Sequence, residues 1–102
     1  MTNISTRKLT SKDYVAAQKQ LTTLIAKLDQ QTAGHLLSDL LTETEQIMFT
    51  KRFAAILLCH HQYSTYRVSH VLGISDATAR RIKLAYDTGA YARLLSCLPK
   101  KE

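Results

Sequence analysis

Arg80, Arg81 and Lys83 crowd into the short stretch SDATARRIK, residues 75–83, just beyond the small pair Ala77-Thr78. A guanidinium is a rigid fork of N–H donors that pairs bidentately with a phosphate or with O6 and N7 of guanine. On a helix, small residues ahead of such groups let the backbone approach a nucleic-acid groove. Thr78 adds a methyl for a thymine or a hydroxyl for a phosphate, and Arg80 is the expected guanine or phosphate contact. Ser75 and Asp76 open the same segment. Ten residues upstream, Ser64, Thr65, Tyr66 and Arg67 bring hydroxyls and N–H groups suited to gripping a phosphate. These residues form the candidate DNA-contacting set.

Other chemistry is less well supported. Cys59-His60-His61 invites a metal reading, but adjacent residues on a helix point about 100° apart and cannot chelate one ion together. Ser, His and Asp occur without a strand–turn–helix nucleophile elbow or a glycine-rich phosphate loop. No enzyme, metal site or resident cofactor is expected. Tyr63, Tyr66, Tyr86 and Tyr91 are able to stack on single-stranded bases, yet their spacing suits helix packing equally well.

Charge points the same way as the arginines. The chain carries a net charge of +6, and residues 63–102 hold seven basic residues against three acidic ones. A one-signed surplus of this kind concentrates polyanions. Cys59 and Cys97 show no paired spacing, so a reducing compartment is expected. The start, MTNISTRKLTSKDY, has no apolar core and is not expected to be a signal peptide. The longest apolar run, Phe53 to Cys59, is too short to span a bilayer. A cytoplasmic protein without a membrane partner is the expectation.

The elements that must position these groups read as all-α, about six helices around a central buried one. Glycine occurs only at Gly34, Gly73 and Gly89, and proline only at Pro99, with helical periodicity between them. One domain is expected, residues 11–98, with a loose start (1–10) and a charged tail (99–102). Ser11 is the expected cap of a first helix whose apolar positions are Tyr14, Ala17, Leu21, Leu24, Ile25 and Leu28. A break near residues 31–34 precedes a short helix using Leu36, Leu37, Leu40 and Leu41. Thr42 with Glu45 three residues later is a capping box, starting a helix that should reach about Gln62. Its segment FAAILLC is apolar almost all round, as in a helix enclosed by others.

Residues 64–88 then read as a helix–turn–helix. Thr65 or Ser64 caps the first helix, Gly73 supplies the positive φ of a tight turn, and Ser75 caps the second. Val68, Leu72, Ile74, Ala79 and Ile82 must point inward for the helices to pack, and all are apolar. With Ala79 and Ile82 inside, helical geometry turns Asp76, Ala77, Arg80, Arg81 and Lys83 outward or to the flank. Gly89 stops the second helix, and AYARLLSCL makes a last short one before Pro99.

Over residues 36–82 the chain resembles the Trp repressor superfamily, and most closely its YerC/YecD-like branch. The resemblance rests on Leu41-Thr42, Glu45, Arg52, Gly73, Ala77-Thr78 and Arg81 in order and at consistent spacing. It implies an intertwined homodimer reading a near-palindrome with two helices about one DNA turn apart. It also implies a small-molecule corepressor site using Thr42, Arg52 and Arg81. The chain departs from the tryptophan-binding members by having Ile82 where they have glycine and Ala85 where they have serine. These departures weigh against L-tryptophan and leave another corepressor open. A sequence-specific regulator of transcription, in particular a repressor, is thus the expectation. A helical interaction module or sigma-factor-like adaptor, whose exposed basic helix meets an acidic protein, and an RNA-binding helical protein are the alternatives.

Overall fold

The computed structural model describes residues 10–99, and among these it is all-α, with six helices and no strand; the loose start expected at 1–10 and the charged tail expected at 99–102 lie, but for residues 10 and 99, outside the described residues. They are α1 (Ser11–Ile25), α2 (Gln30–Leu40), α3 (Glu43–His60), α4 (Thr65–Leu72), α5 (Asp76–Asp87) and α6 (Ala92–Ser96). The residues group into two compact units that divide between Gln46 and Ile47.

In the first unit, each helix start is fixed by a side-chain oxygen that takes a backbone N–H left without an intrahelical partner. Thr10, extended at φ −66° and ψ 157°, accepts from the Asp13 N–H at 3.1 Å and caps α1. Ser11, the expected cap, is already helical. Asp29 caps α2 through a 2.8 Å bond from the Thr32 N–H. The break therefore falls at residues 26–29, not at 31–34; Leu28 lies in it, and Gly34 sits inside α2. An acceptor at Asp29 decides the boundary, because an interior glycine costs a helix only about 1 kcal/mol. Nothing lies within 4 Å of where a Cβ on Gly34 would point. Gly34→Ala is accordingly expected to stabilise the protein by roughly 0.5–1 kcal/mol, seen as a higher urea midpoint at unchanged slope.

Thr42 and Glu45 form the expected reciprocal box: the Thr42 N–H donates to Glu45 Oε1 at 2.8 Å and the Glu45 N–H to Thr42 Oγ1 at 3.1 Å. The bond from the Thr42 N–H holds the Glu45 carboxyl below its usual range, as the Thr32 N–H does for Asp29. Both groups release protons more readily when folded, so their support is full above the ordinary carboxylate range and is lost as pH falls through the lowered values. Circular dichroism should show helix content declining on acidification, and less steeply in Glu45→Gln.

The second unit has one core. Ala55, Ile56 and Cys59 of α3, Val68 of α4, and Ala79 and Ile82 of α5 are buried, with Leu58, Tyr63, Leu72, Ile74, Tyr86, Tyr91 and Leu95 packed partly against them. Within FAAILLC, Ala55, Ile56 and Cys59 are buried, Ala54, Leu57 and Leu58 are partly buried and Phe53 is 40% exposed, while ahead of that run Ile47, Met48 and Phe49 are at least half exposed. Helix α3 stops at His60, short of the expected Gln62, because Gln62 turns left-handed at φ 70°. The Tyr63 N–H then closes onto the Leu58 carbonyl at 3.0 Å, satisfying a terminal acceptor. Helix α5 ends at Asp87, ahead of Gly89 at φ 86°. Helix α6 covers only five residues, fewer than expected, and Tyr91 before it makes no side-chain cap. The two thiols differ sharply: Cys59 is buried and Cys97 exposed. No described helix is long and apolar enough to cross a membrane.

Candidate nucleic-acid interface

Two helices of eight and twelve residues, α4 and α5, meet through Gly73-Ile74-Ser75. Gly73 is left-handed at φ 66° and ψ 41°, and its N–H returns to the Ser69 carbonyl at 2.9 Å. This conformation is cheap for glycine and costly for any residue with a Cβ. The Ile74 N–H closes onto the same carbonyl at 3.2 Å. Ser64 Oγ accepts the Arg67 N–H at 3.2 Å and Ser75 Oγ the Thr78 N–H at 3.1 Å, so each helix has its own cap. The inward set is as the pattern required. Val68 and Ala79 are 0% exposed and Ile82 6%. Leu72 and Ile74 are partly buried against them.

That packing turns the other side of α5 to solvent. Ala77, Arg80 and Arg81 are exposed, and neither arginine has a hydrogen-bond or ion-pair partner among the described residues. Their guanidinium groups are free to meet an anion. Three other candidates are engaged. Thr78 is half-buried, and its Oγ1 accepts a hydrogen bond from Ser75 Oγ at 2.9 Å. Asp76 is exposed, and its Oδ1 accepts from Ser69 Oγ at 2.8 Å, tying the carboxylate to α4. Lys83 lies along its own helix in an ion pair with Asp87 at 2.8 Å, and that carboxylate raises the lysine's affinity for its proton.

On α4, Ser64 is exposed and Thr65 half-buried. Tyr66 is 69% exposed, with its ring stacked on His70 at 5.9 Å between centroids. The Arg67 guanidinium rests over the Tyr63 ring, 4.3 Å from its centroid, a cation–π contact that orients it at the start of α4.

The residues expected of a corepressor site are not all brought together. A cavity of about 270 Å³ lies between α3 and the helix–turn–helix, lined by Ile47, Met48, Lys51, Arg52, Gly73, Ile74, Ser75, Thr78 and Ile82. Arg52 lines it; Arg81 does not, and Thr42 is occupied in its capping box. Ile82, the residue at one of the two departures from the tryptophan-binding members, forms part of the wall. The volume is just under the ~300–1,000 Å³ usual for small-molecule sites. No cluster of His, Cys, Asp and Glu able to hold a metal exists among the described residues; His60 instead meets Tyr86 Oη through Nδ1 at 3.1 Å.

Sequence reasoning missed two residues of this region. Lys51 reaches the turn from α3, its Nζ 3.4 Å from the Gly73 carbonyl oxygen, a long contact between residues no local pattern links. Asp87 was legible as an acid four residues beyond Lys83, the spacing at which helix side chains meet. Set beside known proteins, the chain matches no family model, no curated protein and no solved structure.

Proposed function

We propose that this chain is a sequence-specific regulator of transcription, a repressor, that binds duplex DNA as a homodimer by placing α5 in the major groove. One observation carries the reading: beyond a left-handed glycine turn, α5 buries only Ala79 and Ile82 and leaves Arg80 and Arg81 exposed and unpaired among the described residues, behind a small Ala77. A basic helix that spends so little of its surface on packing has a face available to phosphates and base edges. Capped α4, with Ser64 and Arg67 at its start, supplies backbone contacts that set register. Support for the homodimer comes from apolar side chains that each unit leaves uncovered, Val15, Leu24 and Ile25 in one and Met48 and Phe49 in the other, together with the Trp-repressor-like pattern at residues 36–82.

The test is fluorescence anisotropy with duplex DNA, RNA and acidic polypeptide across a salt series. Binding to DNA should weaken steeply with salt, and a site selected from random DNA should outcompete random duplex by at least about a thousandfold. Preference for RNA, or for the acidic polypeptide over duplex DNA, would replace the reading by one of its alternatives. Asp87→Asn releases Lys83 from its partner and is expected to tighten binding to random duplex by about twofold to fivefold, because a surface ion pair is weak and the freed charge is close to the reading face.

A further inference from the structure

Ser69 is the one buried polar residue described, 7% exposed, and it bonds to all three parts of the helix–turn–helix. Its carbonyl takes the N–H groups of Gly73 and Ile74 in the turn, at 2.9 and 3.2 Å. Its Oγ lies 2.9 Å from the Tyr66 carbonyl oxygen within α4 and 2.8 Å from Asp76 Oδ1 at the first residue of α5. Both Oγ neighbours are acceptors, so the single hydroxyl proton is divided between them, and the bond to the carboxylate is the shorter and charge-assisted one.

Asp76 stands on the reading helix, where an acid facing DNA would repel phosphates. Its carboxylate bonds back to α4 instead. We propose that Asp76 is a positioning residue: by holding the Ser69 hydroxyl it fixes the angle at which α5 leaves α4, and so the register of Arg80 and Arg81 against base edges, without itself contacting DNA. This rests on the DNA-binding reading above. Arg80 and Arg81 lie four and five residues along α5 from Asp76, about 6–7.5 Å away, so a tilt of roughly 10° at Asp76 moves their backbone by about 1 Å. Bidentate bonds to a base do not survive displacements of that order, whereas a flexible arginine still finds a phosphate. Loss of the clamp is therefore expected to cost selectivity more than affinity.

Four variants of the full chain test it: Ser69→Ala, Asp76→Ala, their double, and Asp76→Asn, whose amide oxygen still accepts the hydroxyl but carries no charge. Each is measured by urea unfolding and by anisotropy on two duplexes, one selected from random DNA by the wild-type protein and one of random sequence. The expected result is that Asp76→Ala lowers the ratio of selected to random binding by about tenfold, while Asp76→Asn stays within about threefold of wild type. The unfolding constants should show that the two alanine substitutions are coupled by roughly fivefold rather than independent. Asp76→Asn losing as much selectivity as Asp76→Ala would make the carboxylate a direct base contact, and independent unfolding effects would mean that there is no clamp. Either overturns the proposal. If the wild-type chain binds no duplex, the DNA reading fails by itself, and the unfolding coupling still decides whether Asp76 holds the two helices.

Discussion

Replacing Arg80 and Arg81 together by glutamate is expected to weaken binding to a selected duplex by at least about a hundredfold, since a single good arginine contact contributes roughly 1–3 kcal/mol and reversal adds repulsion. Both groups are exposed and unpaired among the described residues, so their loss removes no described contact and should leave the urea midpoint nearly unchanged. Separate substitutions then divide the roles. If Arg80 reads a base, Arg80→Ala relaxes preference at one position of the selected site; if it holds a phosphate, binding falls equally on every sequence and the salt slope decreases by about one. Arg81→Ala gives the same comparison for its neighbour. A double variant that binds selected duplex as the wild type does would remove the basis of the proposed function.

The second large effect is expected at Gly73. Its φ of 66° lies where a Cβ collides with the chain's own backbone, and the penalty is about 1–2 kcal/mol for an unbranched residue and greater for a β-branched one. Space is not the obstacle, because a Cβ there would meet nothing nearer than Lys51 Nζ at 3.7 Å. Gly73→Ala should thus lower the melting temperature by roughly 5–10 °C and Gly73→Val by more, with Gly73→Asn the mildest. The strain has one exit, a change in the turn's dihedral angles, which would also move α5 relative to α4. Duplex binding should then fall further than the unfolded fraction explains. A Gly73→Val protein with unaltered melting and unaltered binding would show that the left-handed turn is dispensable.

These two sites also mark what was legible in the sequence. The helix–turn–helix could be read almost residue by residue because its determinants are local: Ser64 and Ser75 as caps, Gly73 between them, and apolar residues at Val68, Leu72, Ile74, Ala79 and Ile82 spaced for one inward face. The capping box at Thr42 and Glu45 is equally local. The start of α2 was misplaced for the opposite reason. Gly34 is the conspicuous helix breaker by type, but the boundary belongs to Asp29, whose side chain takes an N–H that nothing else would satisfy. Thr10 and Ser11 are chemically interchangeable caps, so choosing between them needed the backbone dihedrals. The apolar run FAAILLC is covered as its composition suggested except at Phe53, whereas the first half of α3 leaves Ile47, Met48 and Phe49 exposed. Within the candidate site, the engagement of Asp76 by Ser69 and of the Gly73 carbonyl by Lys51 arises only once α3, α4 and α5 pack.

The contrast between the cysteines has a practical side. Burial pushes the Cys59 thiol up, away from the reactive thiolate form, while Cys97 stands open to reagents beyond the last helix. One maleimide dye per chain should therefore attach at a defined place without mutagenesis, remote in sequence from Arg80 and Arg81. Mixing donor-labelled and acceptor-labelled protein would then report self-association by energy transfer at nanomolar concentration, directly in the solution where DNA is titrated.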